Sequence, residues 1–193
     1  MNIAHIRRAF IAIQLPKAIR NALERAVATL AAELPEAVRF LEPEQWHFTL
    51  TFLGYQTDED IGKIIAALGC VVPRFPAPDV MIERIVYGPH SKTPRMIWAV
   101  TDDATSLALG KLKEAIEDEL AARGVGFERE ARAYTGHVTL ARFASGIGEL
   151  PDVHASLRLT FTPAMIELME SHLSRSGAEY TALAGVDFKD DIA

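Results

Sequence analysis

The sequence predicts an α+β fold of two similar lobes, and three observations lead to this prediction. The chain has 193 residues, of which 49% are hydrophobic and 24% charged, as is typical of a globular unit with a sizeable core. Segments typical of strands and helices follow in a similar order on both sides of a proline-rich stretch at residues 71–78. One four-residue pattern, histidine–apolar–threonine–apolar, also occurs in each half. We therefore expect a single bilobal domain over residues 1–193, with approximate sequence halves 1–72 and 79–193.

The first half contains two predicted strands and two predicted helices. Residues 8–14 form a short apolar run typical of a buried strand, and Pro16 follows at the start of a helix. Aliphatic residues recur in this helix at spacings of three and four up to Leu34, before Pro35 ends it. Residues 46–53 are rich in aromatic and β-branched side chains, which predicts a strand ending at Gly54, and residues 58–68 favour a second helix.

The second half repeats these elements and adds strands at its end. Residues 80–87 and 96–101 predict two strands joined by a polar turn. We expect Asp103 to cap a helix with one apolar side, and Gly124 to follow the end of that helix. Residues 137–143 predict another strand, and alternating runs near residues 158–161, 166–172 and 180–186 predict three more.

Composition disfavours several classes of protein. Cys70 is the one cysteine, so no intramolecular disulfide is possible, which is typical of a reducing compartment and predicts a cytoplasmic protein. The longest wholly apolar stretch, at residues 64–72, is far shorter than the roughly 20 residues of a membrane-spanning helix. The net charge of −6 argues against sequence-independent binding of duplexes through a broad basic face, while local recognition of one phosphate stays open.

The repeated pattern occurs at residues 47–50, with the sequence His-Phe-Thr-Leu, and at residues 137–140, with the sequence His-Val-Thr-Leu. In a chain of this composition, chance would give roughly 0.1 copies of such a short pattern, so two copies are well above the number expected by chance. Side chains alternate between the faces of a strand, so each histidine shares a face with the threonine two positions later. If the two faces are opposed, two imidazoles and two hydroxyls meet across a cleft.

Two imidazoles and two hydroxyls suit the cleavage of a phosphodiester. An imidazole with a pKa near 6.5 can act as a base or an acid near neutral pH, so a pair can divide the work of deprotonating the nucleophile and protonating the leaving oxygen. Threonine hydroxyls can donate hydrogen bonds to the non-bridging phosphate oxygens, whose charge rises in the transition state. These groups need no metal ion or cofactor, and the chain has neither a His-Glu-x-x-His motif nor a glycine-rich phosphate loop.

The chain resembles the two-histidine (2H) phosphoesterases, and among them the RNA 2′,3′-cyclic phosphodiesterases once called 2′-5′ RNA ligases. The landmarks that carry the resemblance run through nearly the whole chain: RRAFIAIQLP, WHFTLTFLG, PRMIWAV, GHVTLARF and SHLSRSGAEYTAL. The resemblance implies a bilobal fold in which each pseudo-symmetric lobe has an antiparallel sheet with helices outside. It also implies metal-independent hydrolysis of RNA 2′,3′-cyclic phosphate ends to 2′-phosphate, with reversible 2′-5′ ligation as a related activity.

The resemblance also assigns roles within the two motifs. By position, His47 is the proton donor to the leaving oxygen and His137 the proton acceptor that activates water, while Thr49 and Thr139 hold the phosphate. Gly136 departs from the family, which usually has proline at that position, and we expect a looser entry into the second motif strand. The expected partners are RNA ends with a 2′,3′-cyclic phosphate or related nucleotides, and the expected oligomeric state is a monomer.

Two arginines and two aromatic residues lie next to these motifs. Arg142 and Arg95 are candidate substrate contacts, although the alternation of a regular strand would point Arg142 away from His137 unless the strand bends. Trp46 and Tyr134 flank the motifs, where an aromatic residue packs in the core more often than it stacks on a base.

Three other interpretations stay open from the sequence. Both motif strands could be ordinary half-buried sheet. The chain could bind phosphate ends without turnover, which would use the threonines but would not require both imidazoles. It could also apply the same chemistry to another cyclic or 2′-linked nucleotide, such as 2′-5′ oligoadenylate.

Overall fold

The structure is a computed structural model, and it describes residues 5–89, 94–143, 153, 155–174 and 177–189. Nine strands and three α-helices lie in the described part of the chain. They follow in this order: β1 (Ile6–Gln14), α1 (Lys17–Ala31), β2 (Arg39–Phe40), β3 (His47–Thr57), α2 (Asp58–Val71), β4 (Val80–Gly88), β5 (Met96–Thr101), α3 (Asp103–Ala122), β6 (His137–Arg142), β7 (Ala155–Phe161), β8 (Met165–Ser174) and β9 (Gly177–Asp187).

The strands form a large antiparallel sheet in the order β7-β4-β5-β6-β3-β1-β8-β9, with β2 beside β6. The predicted α+β class is therefore confirmed. Strands β3 and β6 meet through the residue pair Phe48–Val138, which divides the sheet into one half of five strands (β7, β4, β5, β6 and β2) and one of four (β3, β1, β8 and β9). The last two strands of the chain, β8 and β9, lie beside β1, so the sheet half that holds the first motif is completed by the C-terminal end.

The helices pack their apolar sides on the core of this sheet. Helix α1 buries Ile19, Leu23 and Val27 and ends at Ala31, short of the predicted stripe, because Leu34 is only partly buried. Helix α2 runs to Val71, three residues beyond its predicted end, and Thr57 caps its start.

Helix α3 begins one residue earlier than expected. Asp102, not Asp103, is its N-cap, because the Asp102 carboxylate accepts a hydrogen bond of 2.9 Å from the backbone N–H of Thr105. Gly124 follows the end of the helix with φ +72°, as predicted.

A buried ion pair ties α3 to the strand that carries the first motif. Lys113 lies 2.8 Å from Glu117, and both side chains are less than one-tenth exposed. Glu117 also accepts a hydrogen bond of 3.0 Å from the Thr51 hydroxyl of β3. Buried charges are tolerated when each has such a partner, and here the pair fixes the back of β3 two residues beyond Thr49.

All eight predicted strands are present in the predicted order, with two differences between prediction and structure. Strand β3 continues past Gly54 to Thr57, because Gly54 takes a φ of +73° that lets the chain stay in the ladder. The two-residue strand β2 was not predicted, since a segment that short has no periodicity. Residues 90–93 of the predicted polar turn lie outside the described residues. Among the described helices, none is both long and apolar enough to cross a membrane.

Candidate active site

The two histidine–threonine motifs run side by side and antiparallel at the junction of the sheet halves. Phe48 and Val138 pair there, and both are fully buried in the core. The residues on either side of each project to the opposite face, where His47, Thr49, His137 and Thr139 are all half-buried. In an antiparallel pair centred on Phe48–Val138, His47 comes opposite Thr139 and Thr49 opposite His137. The structure thus brings the four predicted motif residues to one face in a pseudo-twofold arrangement.

Both imidazole rings are held in the same way by their own strands. Nδ1 of His47 lies 2.7 Å from the carbonyl oxygen of Gln45, and Nδ1 of His137 lies 2.8 Å from that of Thr135. A carbonyl oxygen can only accept, so Nδ1 carries the donated proton in both rings. Nε2 is therefore the nitrogen that gains or loses a proton in each histidine.

The imidazole of His137 stacks on an aromatic ring. The indole of Trp98, on β5, stacks on this imidazole with ring centroids 4.0 Å apart and an angle of 30° between the planes. Gly88, at the end of β4, lies against the indole, because a Cβ built there would come within 2.2 Å of Trp98 Cδ2. The position of His137 thus depends on a stack in which a glycine leaves room for the indole.

Different aromatic residues surround His47. Its ring lies 4.9 Å from that of Phe10 on β1 and meets Tyr180 of β9 edge-on at 5.0 Å. Gln45 donates a hydrogen bond of 2.5 Å to the carbonyl oxygen of Ala178, which fastens the start of β9 beside the first motif.

Burial lowers the pKa of both imidazoles. Desolvation is the largest cause for His47, and with the positive charges of Arg142 and His137 it lowers the pKa to about 4, against a smaller opposing effect of the hydrogen bond to Gln45. Desolvation is also the main cause of the lowered pKa of His137. Both rings are therefore neutral at pH 7 in the protein without a ligand, and the effect of His137 on His47 places the two within electrostatic reach.

A β-bulge returns Arg142 to the face of the two histidines. Ile97 pairs with Ala141 but Trp98 pairs with Thr139, so Leu140 is an extra residue in β6. Such a bulge reverses the alternation of the strand beyond it. Arg142 is accordingly exposed, and its charge lowers the pKa of His47. The bulge is the irregularity that the expectation from strand parity left open, so Arg142 lies on the histidine face, and its contact with a substrate stays a prediction.

Arg95 lies at the same end of the β5–β6 pair as Arg142. Its backbone N–H donates to the carbonyl oxygen of Gly88 at 2.9 Å, and its carbonyl oxygen accepts from the N–H of Phe143 at 3.0 Å. The side chain is exposed. The structure therefore fixes the backbone of Arg95 near the site, and contact of its side chain with a substrate stays a prediction.

Three residues beside the motifs have structural roles. Trp46 is 1% exposed and belongs to the core, and the Tyr134 hydroxyl donates a hydrogen bond of 2.9 Å to the carbonyl oxygen of Thr49, as core packing predicted. Gly136 was expected to loosen the strand entry. Instead its N–H donates to the Ser106 hydroxyl at 3.1 Å and its carbonyl oxygen accepts from the N–H of Thr101 at 2.9 Å. The entry to the second motif is therefore held in place.

Sequence reasoning did not find the aromatic neighbours of the histidines or an acidic residue near them. Phe10, Trp98 and Tyr180 come from strands far from the motifs in the chain, and only the strand pairing brings them close. Glu167 pairs with Ala12, and Ala12 pairs with Thr49, so Glu167 lies in the same row of the histidine face as Thr49. Burial raises the pKa of the Glu167 carboxyl group. Among the described residues, no group of three or more histidine, cysteine or acidic side chains could hold a metal ion.

Comparisons with known proteins agree with this fold and with the resemblance predicted from the sequence. The LigT-like phosphoesterase family model matches residues 13–98. A Thermus thermophilus RNA 2′,3′-cyclic phosphodiesterase is 29% identical, with 91% of this chain and 87% of the relative covered. A relative of the same name from Methanothermobacter thermautotrophicus is 26% identical, covering 90% of this chain and 95% of the relative.

A solved structure shows the same fold. E. coli LigT complexed with 3′-AMP superposes with a TM-score of 0.77 at 24% identity, covering 96% of this chain and 100% of LigT. The family model and the two relatives, together with this shared fold, confirm the predicted resemblance to the LigT-like phosphoesterases.

Proposed function

We propose that this chain, which resembles the LigT-like phosphoesterases in sequence and in fold, hydrolyses RNA 2′,3′-cyclic phosphate ends to 2′-phosphate with two histidines and no metal ion. The observation that carries the proposal is the pair of imidazoles on one face of the β3–β6 junction, each with Nδ1 bound to a backbone carbonyl. The substrate class is supported by the names of relatives that match most of the chain.

In the proposed reaction, His137 Nε2 takes a proton from water as the water oxygen bonds to phosphorus. The bond between phosphorus and O3′ breaks, and His47 Nε2 donates its proton to O3′. The product carries a 2′-phosphate and a free 3′-hydroxyl, and the proton that His137 gains matches the proton that His47 loses. A 5′-hydroxyl in place of water would give a 2′-5′ linkage through the same two proton transfers, and reversal of that step would break the linkage.

Hydroxyl and guanidinium donors support the phosphorus centre in this scheme. Thr49 and Thr139 share the histidine face and can donate to the non-bridging oxygens, which gain charge in the transition state. Arg142 brings a positive charge to the same face, close enough to lower the pKa of His47. A guanidinium can bind phosphate oxygens through two parallel hydrogen bonds.

The protonation states make substrate binding a proton-linked event. Both imidazoles have lowered pKa values in the protein without a ligand, yet His47 must be protonated to act as a donor. A bound phosphodiester anion favours the charged form of a nearby histidine and raises its pKa. We therefore expect the protein to take up a proton when it binds a cyclic phosphate near neutral pH.

We also propose that residues 1–193 act as one bilobal domain, because each half of the sheet uses elements of both sequence halves. Strands β8 and β9 extend the sheet beside β1, and α1 packs against β7. Residues 1–72 would keep only β1 and β3 of the sheet half that holds the first motif, and residues 79–193 would keep only β8 and β9 of it.

The direct test is end-group analysis of a short RNA with a 2′,3′-cyclic terminus, incubated with the protein and EDTA. We expect a 2′-phosphate and a 3′-hydroxyl as the only new end groups. A 3′-phosphate product would contradict the proposed leaving oxygen. Turnover that EDTA abolishes and a divalent ion restores would contradict the metal-independent mechanism.

Two alternatives give different results in the same assay. A module that binds phosphate ends would retain the labelled RNA without opening the cycle. A phosphodiesterase for another nucleotide would leave the RNA intact and cleave 2′-5′ oligoadenylate instead. Either result would overturn the proposed substrate.

A further inference from the structure

We propose that the face carrying the two histidines continues along β3 and β1 as a binding surface for the single-stranded RNA that leads to the cyclic end. This surface, the aromatic track, consists of Phe52, Tyr55 and Arg8. The inference rests on the proposed function and deepens it, because it assigns an oligoribonucleotide end, rather than a mononucleotide, as the preferred substrate class.

The strand register places the aromatic track on the face of the first motif. On β1, alternate residues pair with β3 as Gln14–His47, Ala12–Thr49, Phe10–Phe52 and Arg8–Tyr55. Residues that pair across two strands project from the same face of the sheet. His47, Thr49, Phe52 and Tyr55 therefore form one row along β3.

Two β-bulges in β3 create this alignment. The register shifts at Leu50 and again at Leu53, and both leucines are 3% exposed in the core. Without the bulges, regular alternation would keep Thr51 and Leu53 on the histidine face and turn Phe52 towards the core. The bulges instead place Phe52 and Tyr55, which come three and six positions after Thr49, on the histidine face.

The aromatic side chains of the track are open to solvent. Phe52 is 65% and Tyr55 73% exposed, whereas Phe10, which pairs with Phe52 on the neighbouring strand, is 3% exposed. Phe10 connects the track to the site, since its ring lies 4.9 Å from that of His47 and 6.2 Å from that of Phe52. Exposed apolar side chains grouped on one surface indicate a binding site more strongly than scattered ones.

Arg8 gives the track a cationic group that no described carboxylate neutralises. Its neighbour Arg7 projects from the other face and binds Glu170 at 2.9 Å and Asp58 at 3.2 Å. Arg8 forms no ion pair within the described part of the chain and lies opposite Tyr55. Aromatic rings that stack bases, with an arginine for the backbone, are the combination that binds single-stranded nucleic acid.

The polarity of RNA determines which nucleotide contacts which residue of the aromatic track. A 2′,3′-cyclic phosphate is always at the 3′ end, so the rest of the strand leaves the histidines in the 5′ direction. The β1 partners of Phe52 and Tyr55 are Phe10 and Arg8, which are two residues apart along the strand, or about 6.8 Å. We therefore assign the terminal base to Phe52, the preceding base to Tyr55 and the phosphate between them to Arg8.

The first test compares turnover of cyclic-ended mono-, di- and trinucleotides. Wild-type kcat/KM should rise from the mononucleotide to the dinucleotide by roughly five- to hundredfold, as expected for one stacked base. Tyr55→Ala should remove this gain and leave the mononucleotide unchanged, while Phe52→Ala should lower kcat/KM for every length. Arg8→Gln should weaken the salt dependence of dinucleotide turnover.

The matched control is Leu107→Ala on α3, because Leu107 is 62% exposed but lies outside the track. It should behave as wild type for every length, and thermal unfolding should show that all four variants keep their fold. Equal kcat/KM for mono- and trinucleotides in the wild type, or an equal loss for both in Tyr55→Ala, would overturn the track.

A binding measurement separates failure of the track from failure of the proposed function. A trinucleotide with a terminal 2′-phosphate and 2-aminopurine at the penultimate base should lose fluorescence on binding, because stacking quenches this base. Tyr55→Ala should abolish the quenching and Leu107→Ala should retain it. Absent quenching in the wild type would overturn the track even if cyclic ends are hydrolysed. Quenching without hydrolysis would support the track and contradict the proposed function alone.

Discussion

The two motif strands share a scaffold but differ in the residues that come after the threonine. In β3 and in β6, the histidine binds the carbonyl oxygen two residues upstream, and a leucine one residue after the threonine forms a bulge. The residue re-aimed by the bulge is Phe52 in β3 and Arg142 in β6. One side of the site thus presents an exposed aromatic ring and the other a cation.

This difference indicates how a repeated motif can serve an asymmetric substrate. A cyclic phosphate end has a charged phosphorus centre and, on one side of it, a nucleoside. In the proposed reaction, the shared parts of the motifs would provide two imidazoles and two hydroxyls for this centre. The residues after the bulges would provide the asymmetry, with Arg142 for charge and Phe52 for a base.

The largest effect should come from removing either imidazole. We expect His47→Ala and His137→Ala each to lower kcat by about 10²-fold or more, because in the proposed reaction each histidine makes one of the two proton transfers. The double variant should lose about as much as the more damaged single variant, since the two groups act together. Steady-state kinetics on a cyclic-ended RNA measures all three.

His172→Ala is the control for these variants, because His172 lies on β8 with a half-exposed side chain and contacts Glu170 instead. It should retain wild-type turnover. If His47→Ala and His137→Ala also retained it, the repeated motif would have no catalytic role.

Replacing the motif threonines should have a smaller and nearly equal effect on the two sides. Thr49→Val and Thr139→Val remove a hydroxyl donor at similar volume and leave the imidazoles in place. We expect each to lower kcat by about ten- to hundredfold, at or below the low end of the roughly 10²- to 10³-fold typical for the loss of one oxyanion donor, because the other hydroxyl and Arg142 remain. A loss confined to one threonine would show that the pseudo-symmetry does not extend to phosphate binding.

Arg142→Gln tests the cationic side of the comparison. We expect KM to rise about tenfold with the loss of a charge-assisted hydrogen bond. The pKa of His47 should also rise, because Arg142 lowers it, so the maximum of kcat/KM should move to higher pH. Arg123→Gln, which removes a surface partner of Glu119, is the control and should change neither quantity.

Gly88→Ala tests the stack behind His137 and should have the smallest effect on rate. The new Cβ would lie 2.2 to 2.6 Å from three indole atoms, so the Trp98 ring must shift and its stack on His137 must change. We expect a several-fold loss of kcat and changed ring-proton shifts of His137 in NMR spectra, with His47 unaffected. Gly62→Ala, where an added Cβ meets nothing within 4 Å, should change neither. Unchanged His137 signals in Gly88→Ala would contradict the stack.

The sequence predicted the fold well because its signals are local. Apolar periodicity and capping residues predicted the order of the elements, and the errors were a missed two-residue strand, β2, and element ends such as Ala31 and Asp102, where tertiary packing decides. The motif faces were also predictable, since alternation alone places Phe48 and Val138 in the core.

The surroundings of the histidines could not be predicted from local signals. Arg142 lies on the histidine face because of a bulge whose position depends on pairing with β5. Regular alternation along β6 would by itself place Arg142 on the opposite face. Trp98 and Tyr180 contact the imidazoles from strands distant in sequence, so only the sheet order reveals them.

The pH dependence of kcat/KM in the wild type and the two histidine variants tests most directly whether both imidazoles act on one phosphorus atom. In the proposed reaction, the reactive form of the protein without a ligand has His47 protonated and His137 neutral, and this form is a minority at pH 7 because both pKa values are lowered, with that of His47 at about 4. We therefore predict a bell-shaped wild-type profile with its maximum on the acid side of pH 6.5. His137→Ala should lose the acid limb, and His47→Ala should lose the alkaline limb. A bell that persists in both variants would contradict the account.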